Sequence, residues 1–190
     1  MLCNIFSMIE RNILIIFLVC VFISLSFILS IKLKFIETIA FSAISLFVPF
    51  ILFHYFSSKN NIYFKIELWN YGFLISFISI FIKFPIFPFL YFEVYYKKSG
   101  RILKKEISQS EIFSYIFIFL FSMLIIGFLG IALSNFKLSL IAFSILFSIL
   151  LPYKNSVGNI FFLINPLACG LLLGLSFSFY LISYFFVLFL

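Results

Sequence analysis

Residues 12–31 read NILIIFLVCVFISLSFILSI, twenty residues without a charge. At about 1.5 Å of rise per residue, such a run crosses the roughly 30 Å of a bilayer's hydrocarbon as a helix. A signal peptide is the alternative, but the run is long for one and no small-residue cleavage site follows it. The pattern then repeats. Further apolar runs cover 35–56, 70–92, 112–133, 138–151 and 160–190. The expected fold is an all-α polytopic membrane protein: a single domain, 1–190, with about six transmembrane helices.

Composition excludes the soluble alternatives. The chain is 65% hydrophobic and 10% charged, against roughly 25% charged in a soluble domain. It cannot cover itself with polar surface, so the lipid bilayer is its first partner. The net charge of +7 would point to nucleic acid in a soluble protein. Here the basic residues lie between apolar runs, where Lys and Arg mark cytoplasmic loops, and no nucleic-acid partner is expected.

The runs differ in how cleanly they read as crossings. Pro49 sits inside the second, where it removes one backbone bond. The third carries Lys83, Pro85 and Pro88, so its second half is expected to be broken or partly re-entrant. Asn165-Pro166 breaks the last run or marks its true start. Gly170 and Gly174 form a G-x-x-x-G, a spacing that lets helices approach closely. Between the second and third runs, Ile62 to Trp69 alternates partly, the period of a strand. An interfacial segment anchored by Trp69 and Tyr71 fits as well. Residues 93–106 read as a small hairpin around Ser99-Gly100 within a basic loop.

With six crossings, one side carries Arg11, Lys59, Lys65 and Lys137. The other carries Lys32, Lys34, Lys97, Lys98, Arg101, Lys104, Lys105 and Lys154. The basic rule then places the 97–105 loop in the cytoplasm and both termini outside, with the plasma membrane the expected location.

Chemistry inside a membrane needs polar groups in the spans. The candidates are Glu37, His54, Lys83, Glu111 and Asn165, most of them near a span end where snorkelling suffices. A zinc site needs three or four ligands. The chain has one His, no Asp, and cysteines only at 3, 20 and 169. No G-x-S-x-G, P-loop or G-x-G-x-x-G is present. No catalytic residue is expected and no metal site, with His54 the one side chain of ligand type.

Several segments, in order and spacing, resemble the site-2 protease family of intramembrane zinc metalloproteases, especially its short archaeal members. The frame Ser58-Lys59 through Glu67-Leu68-Trp69 to Gly72 is similar to the charged segment that follows the family's H-E-x-x-H helix. Pro85 to Tyr96, then Ile107-Ser108, then Leu150-Leu151-Pro152 and Gly158 fall where the family has its Pro-rich stretch, its hairpin, its third motif and its L-D-G motif. In that register the H-E-x-x-H positions are Pro49, Phe50 and Phe53, with His54 one residue beyond. The Asp of L-D-G falls on Val157. The resemblance covers about residues 36–165. It implies a degenerate member in which zinc is lost.

On that basis the expected function is a proteolytically inactive scaffold that binds or regulates a membrane protein. Its partner would be a single-span membrane protein held in a groove lined by His54, Trp69, Lys83, Tyr95 and Tyr96. The alternatives are a small transporter or channel component with Lys83 on its pathway, a structural membrane subunit without a site, and an active metalloprotease with unusual ligands.

Overall fold

The structure, a computed structural model, describes the backbone of residues 2–59, 62–87, 90–98, 101–104, 109–152 and 157–189. Side chains are described for 9–59, 62–63, 65–69, 71–87, 113–152 and 157–189. Seven helices and three strands appear among these residues: α1 (Leu2–Ile31), α2 (Phe35–Lys59), β1 (Ile62–Leu68), α3 (Asn70–Phe81), β2 (Leu90–Lys98), β3 (Arg101–Lys104), α4 (Gln109–Ala132), α5 (Phe136–Leu150), α6 (Val157–Ile164) and α7 (Pro166–Phe189). Four stretches are helical, long and apolar enough to cross a membrane: Ile9–Ile31 of α1, all of α2, Phe113–Ala132 of α4, and all of α7. Large apolar side chains such as Leu29, Ile36, Leu133 and Phe189 stay exposed on their outer faces. With lipid as the surrounding solvent that exposure carries no penalty. The chain is built as a helical membrane protein.

Six equivalent crossings are not what the structure contains. Of the third run, only Asn70–Phe81 is helical, about 18 Å at helical rise and short of the bilayer core. The chain then turns at Lys83, where φ is 58°, and comes back outside helix or strand through 84–87. Leu68 and Leu90 are partners in the β1–β2 ladder. The chain therefore leaves the sheet after Leu68 and is back beside it at Leu90, and the run is an excursion. The prolines give the physical reason. Pro85 has no N–H to donate, and a residue before a proline is pushed out of helical geometry.

The fifth run, α5, has 15 residues. It lies at the centre of the bundle, with every residue from Ser139 to Leu150 buried. Protein surrounds it on all sides, so its length need not match the lipid. It runs antiparallel to α7, with rings paired at Phe136–Phe186 (4.4 Å), Phe143–Phe179 (5.4 Å) and Phe147–Phe177 (5.1 Å). The hydroxyls of Ser139 and Ser183 meet at 2.7 Å. α4 packs on its other side through Gly127 and Gly130. A Cβ at either would stand 2.7 Å from Phe143 or from the Ser139 backbone nitrogen, so only glycine allows this separation. No atom of the structure lies near where a Cβ would stand at Gly170 or Gly174. The G-x-x-x-G visible in the sequence makes no close contact within the chain.

The last apolar run is split as its Asn-Pro predicts. α6 ends at Ile164, Asn165 accepts the Ala168 N–H at 3.0 Å through its side chain, and α7 starts at Pro166. β1, β2 and β3 form one antiparallel sheet in that order. The Ser99-Gly100 turn expected between β2 and β3 lies outside the described residues.

Because 69–89 is an excursion, the two ends of the bundle differ from the six-span expectation. The N-terminal part of α1, the end of α2, the sheet and the start of α4 share one end. The connectors 32–34 and 133–135 and the end of α7 share the other, joined by a Lys137–Glu37 ion pair of 2.7 Å. The start of α1 and the end of α7 thus lie at opposite ends, which corrects the expectation of both termini on one side.

Candidate functional site

The region around His54 is built by three elements. α2 carries His54 on its last turns, and β1 begins eight residues later. The His54 ring lies near-parallel to Phe50 at 6.1 Å and tilted toward Tyr63 of β1 at 6.5 Å. α1 passes beside both. Asn12 accepts the Ile66 N–H at 2.9 Å through its side-chain oxygen, which closes that outward-facing group on the free edge of β1. Arg11 reaches Glu67 at 2.9 Å, and Lys65 pairs with the same carboxylate. Between α1 and α2 lies a crevice of about 370 Å³, lined by Ile9, Ile13, Phe47, Phe50, Ile51, His54, Tyr55 and Ser58. It is apolar apart from His54 and Ser58. The Lys59 ammonium sits over the Tyr55 ring at 4.3 Å at its rim, a cation–π contact at the level where charge must leave the lipid.

Among the described side chains of the expected groove, His54, Trp69 and Lys83 lie apart along the fold. The ladder places Tyr95 opposite Tyr63 and Tyr96 opposite Ile62. These two positions therefore lie at the same end of the sheet as His54, although their side chains are outside the described residues. Trp69 follows the other end of β1, about 20 Å along the strand from Tyr63 at strand rise, with Tyr71 near it at 6.0 Å. Lys83 is farther still, at the tip of the excursion, with an exposed side chain. Its carbonyl accepts the Tyr184 hydroxyl at 2.6 Å.

The positions in register with the family's ligands face the protein interior. Pro49 is buried, and Phe50, Phe53 and Val157 belong to one buried apolar cluster. Phe53 packs edge-on against Phe119 of α4 at 5.6 Å. His54 is one position round the helix and points into the α1–α2 crevice. Among the described residues, no three His, Cys, Asp or Glu side chains come together.

Sequence reasoning missed the residues that hold the excursion. Irregular backbone among apolar helices leaves peptide groups that lipid cannot satisfy, and here side-chain hydroxyls take them up. Ser79 accepts the Ile86 N–H at 3.0 Å, and Ser148 of α5 accepts the Phe87 N–H at 2.8 Å. Tyr180 of α7 donates to the Pro85 carbonyl at 3.1 Å. Tyr184 takes the Lys83 carbonyl, as above, and the Phe84 N–H reaches the Ser79 carbonyl at 3.1 Å. The only available signal was polar residues on otherwise apolar helices, which do not say what they face.

No family model, no curated protein and no solved structure matches this chain.

Proposed function

We propose that this protein is a membrane-embedded scaffold that holds an extended segment of a single-span membrane protein, and that it is a proteolytically silent relative of the site-2 proteases. One observation carries this reading. A three-stranded antiparallel sheet stands at one end of a helical bundle. Asn12 of α1 takes up the Ile66 N–H on the β1 edge. The order β1-β2-β3 leaves β3, Arg101–Lys104, at the other edge. Edge strands bind extended peptides by adding a strand, with main-chain hydrogen bonds supplying the affinity. The silence is supported by what fills the ligand positions: Pro49, Phe50, Phe53 and Val157 are packed side chains of the core.

The same reading sets the orientation. Among the described residues, Arg11, Lys59, Lys65, Lys97, Lys98, Arg101 and Lys104 lie at the sheet end, seven basic residues. Lys32, Lys34 and Lys137 lie at the other end, three, and Lys83 lies away from the sheet at the tip of the excursion. The basic end faces the cytoplasm, so the captured segment is cytoplasmic or juxtamembrane, and the end of α7 faces outward. The plasma membrane is the proposed location.

The test is photo-crosslinking from position 102, in β3, to a panel of single-span reporters in native membranes, alongside a zinc assay of the purified protein. Adducts at position 102 and none from position 63, in β1, are expected. Stoichiometric zinc, with reporter cleavage abolished by His54→Ala, would overturn the silent-relative reading. Absence of adducts from position 102 would overturn strand capture.

A further inference from the structure

At the end of the bundle opposite the sheet, Leu33, the connector 133–135, the first turns of α2 and α5 and the last turns of α7 surround a crevice of about 550 Å³, with Lys34 reaching its rim through Glu37. Its walls are of two kinds. Phe41, Phe136 and Phe186 form an apolar side, with the rings of Phe136 and Phe186 stacked at 4.4 Å. Glu37, Asn135 and Lys137 form a polar rim. Lys137 pairs with Glu37 at 2.7 Å, and Lys34 approaches the other oxygen of the same carboxylate at 3.9 Å. Lys34 is 82% exposed and Lys137 42%, so both ammonium groups keep donors free for a further acceptor. Lys32 adds a third cation in the same connector, where a positive φ of 61° turns the chain. Two cations, Lys34 and Lys137, thus meet one carboxylate.

We propose that this crevice is a binding site for an anionic phospholipid: the phosphate lies on Lys34 and Lys137, and an acyl chain lies along the Phe41–Phe136–Phe186 wall. The position fits such an occupant. The crevice opens where α1, α2, α4 and α7 leave the hydrocarbon, which is the depth of lipid headgroups. Basic pockets between helices at a membrane surface select anionic headgroups through charge. Lysine serves as a point-charge phosphate ligand that needs no fixed fork geometry. A soluble anion has no use for the aromatic wall, whereas a lipid fills both halves. Glu37 draws the two lysines to one rim and competes with the headgroup for them, and the cations outnumber it.

The test uses the purified full chain in mild detergent, exchanged into mixed micelles of phosphatidylcholine with or without phosphatidylglycerol, with retained lipid phosphorus counted per chain. Retention of about one phosphatidylglycerol per chain is expected, at least five-fold over phosphatidylcholine. Lys34→Ala, at a side chain too exposed to support folding, should lower that preference at least three-fold. Glu37→Gln should raise it, because it removes the competing carboxylate. Inorganic phosphate at the same concentration should not displace the lipid. Equal retention of the two lipids, no change on Lys34→Ala, or full displacement by phosphate would each overturn the assignment. Thermal unfolding of each variant verifies that retention is read on folded protein.

Discussion

The helix α5 and the excursion 70–87 are both too short to cross a bilayer as helices, but α5 is buried at the centre of the bundle, whereas α3 leaves Tyr71, Leu74, Phe77 and Phe81 exposed. They solve the backbone problem in opposite ways. α5 satisfies its own peptide groups internally, and its serines add only local bonds: Ser144 donates back to the Ile141 carbonyl at 2.8 Å. The returning half of the excursion has no internal ladder and takes its partners from Ser79, Ser148, Tyr180 and Tyr184. Within a membrane, irregular backbone survives only where protein supplies the partners that water would supply outside. The difference is therefore one of dependence. α5 tolerates losing a hydroxyl, whereas the excursion does not.

The largest expected effect lies where α6 meets α5 and tests whether that close approach is as rigid as the excursion's contacts. A Cβ at Gly158 would overlap the Leu150 carbonyl, a backbone atom that cannot step aside. Gly158→Ala should cost about 3 kcal/mol or prevent folding, read by thermal unfolding in detergent. The sharpest test of the comparison uses one residue type on one helix. Ser148→Ala leaves the buried Phe87 N–H without its acceptor and should cost about 2 kcal/mol. Ser144→Ala removes only a local bond to a carbonyl the helix already uses, and should cost about 0.5 kcal/mol or less. Equal losses in the two variants would break the distinction. Tyr184→Phe, at a half-buried hydroxyl, should cost about 0.5–1 kcal/mol and speed proteolysis near Lys83. Smallest of all, Gly170→Ala should change stability by less than about 0.5 kcal/mol. A larger loss would mean that this face of α7 packs against something outside the chain, such as a second copy.

Much of the outline was legible in the chain itself. The uncharged run at 12–31 announces a spanning helix because each buried peptide group must find its partner within the segment. Asn165-Pro166 marks the start of α7 because proline fits a first helical turn and Asn can accept an N–H there. The alternation of 62–68 has the period of the strand it forms, although sequence alone left an interfacial segment equally open. The candidate groove was less legible. His54, Trp69, Lys83, Tyr95 and Tyr96 are the polar and aromatic punctuation of the central third of the chain, but the ladder register separates them. Only the positions of Tyr95 and Tyr96 come to the His54 end.

By itself, the sequence determined that this chain is built for lipid and where its longest helices run. Hydropathy and residue chemistry are properties of single segments, so they need no fold to be read. Only the tertiary structure decided which groups hold the returning half of the third run, that Gly127, Gly130 and Gly158 stand too close to neighbouring atoms for a side chain, and that the start of α1 and the end of α7 lie at opposite ends. Those outcomes depend on which groups meet across the bundle: Ser148 with Phe87, Leu68 with Leu90, Lys137 with Glu37. Each pairs residues 22 to 100 positions apart, and no local pattern records such a meeting.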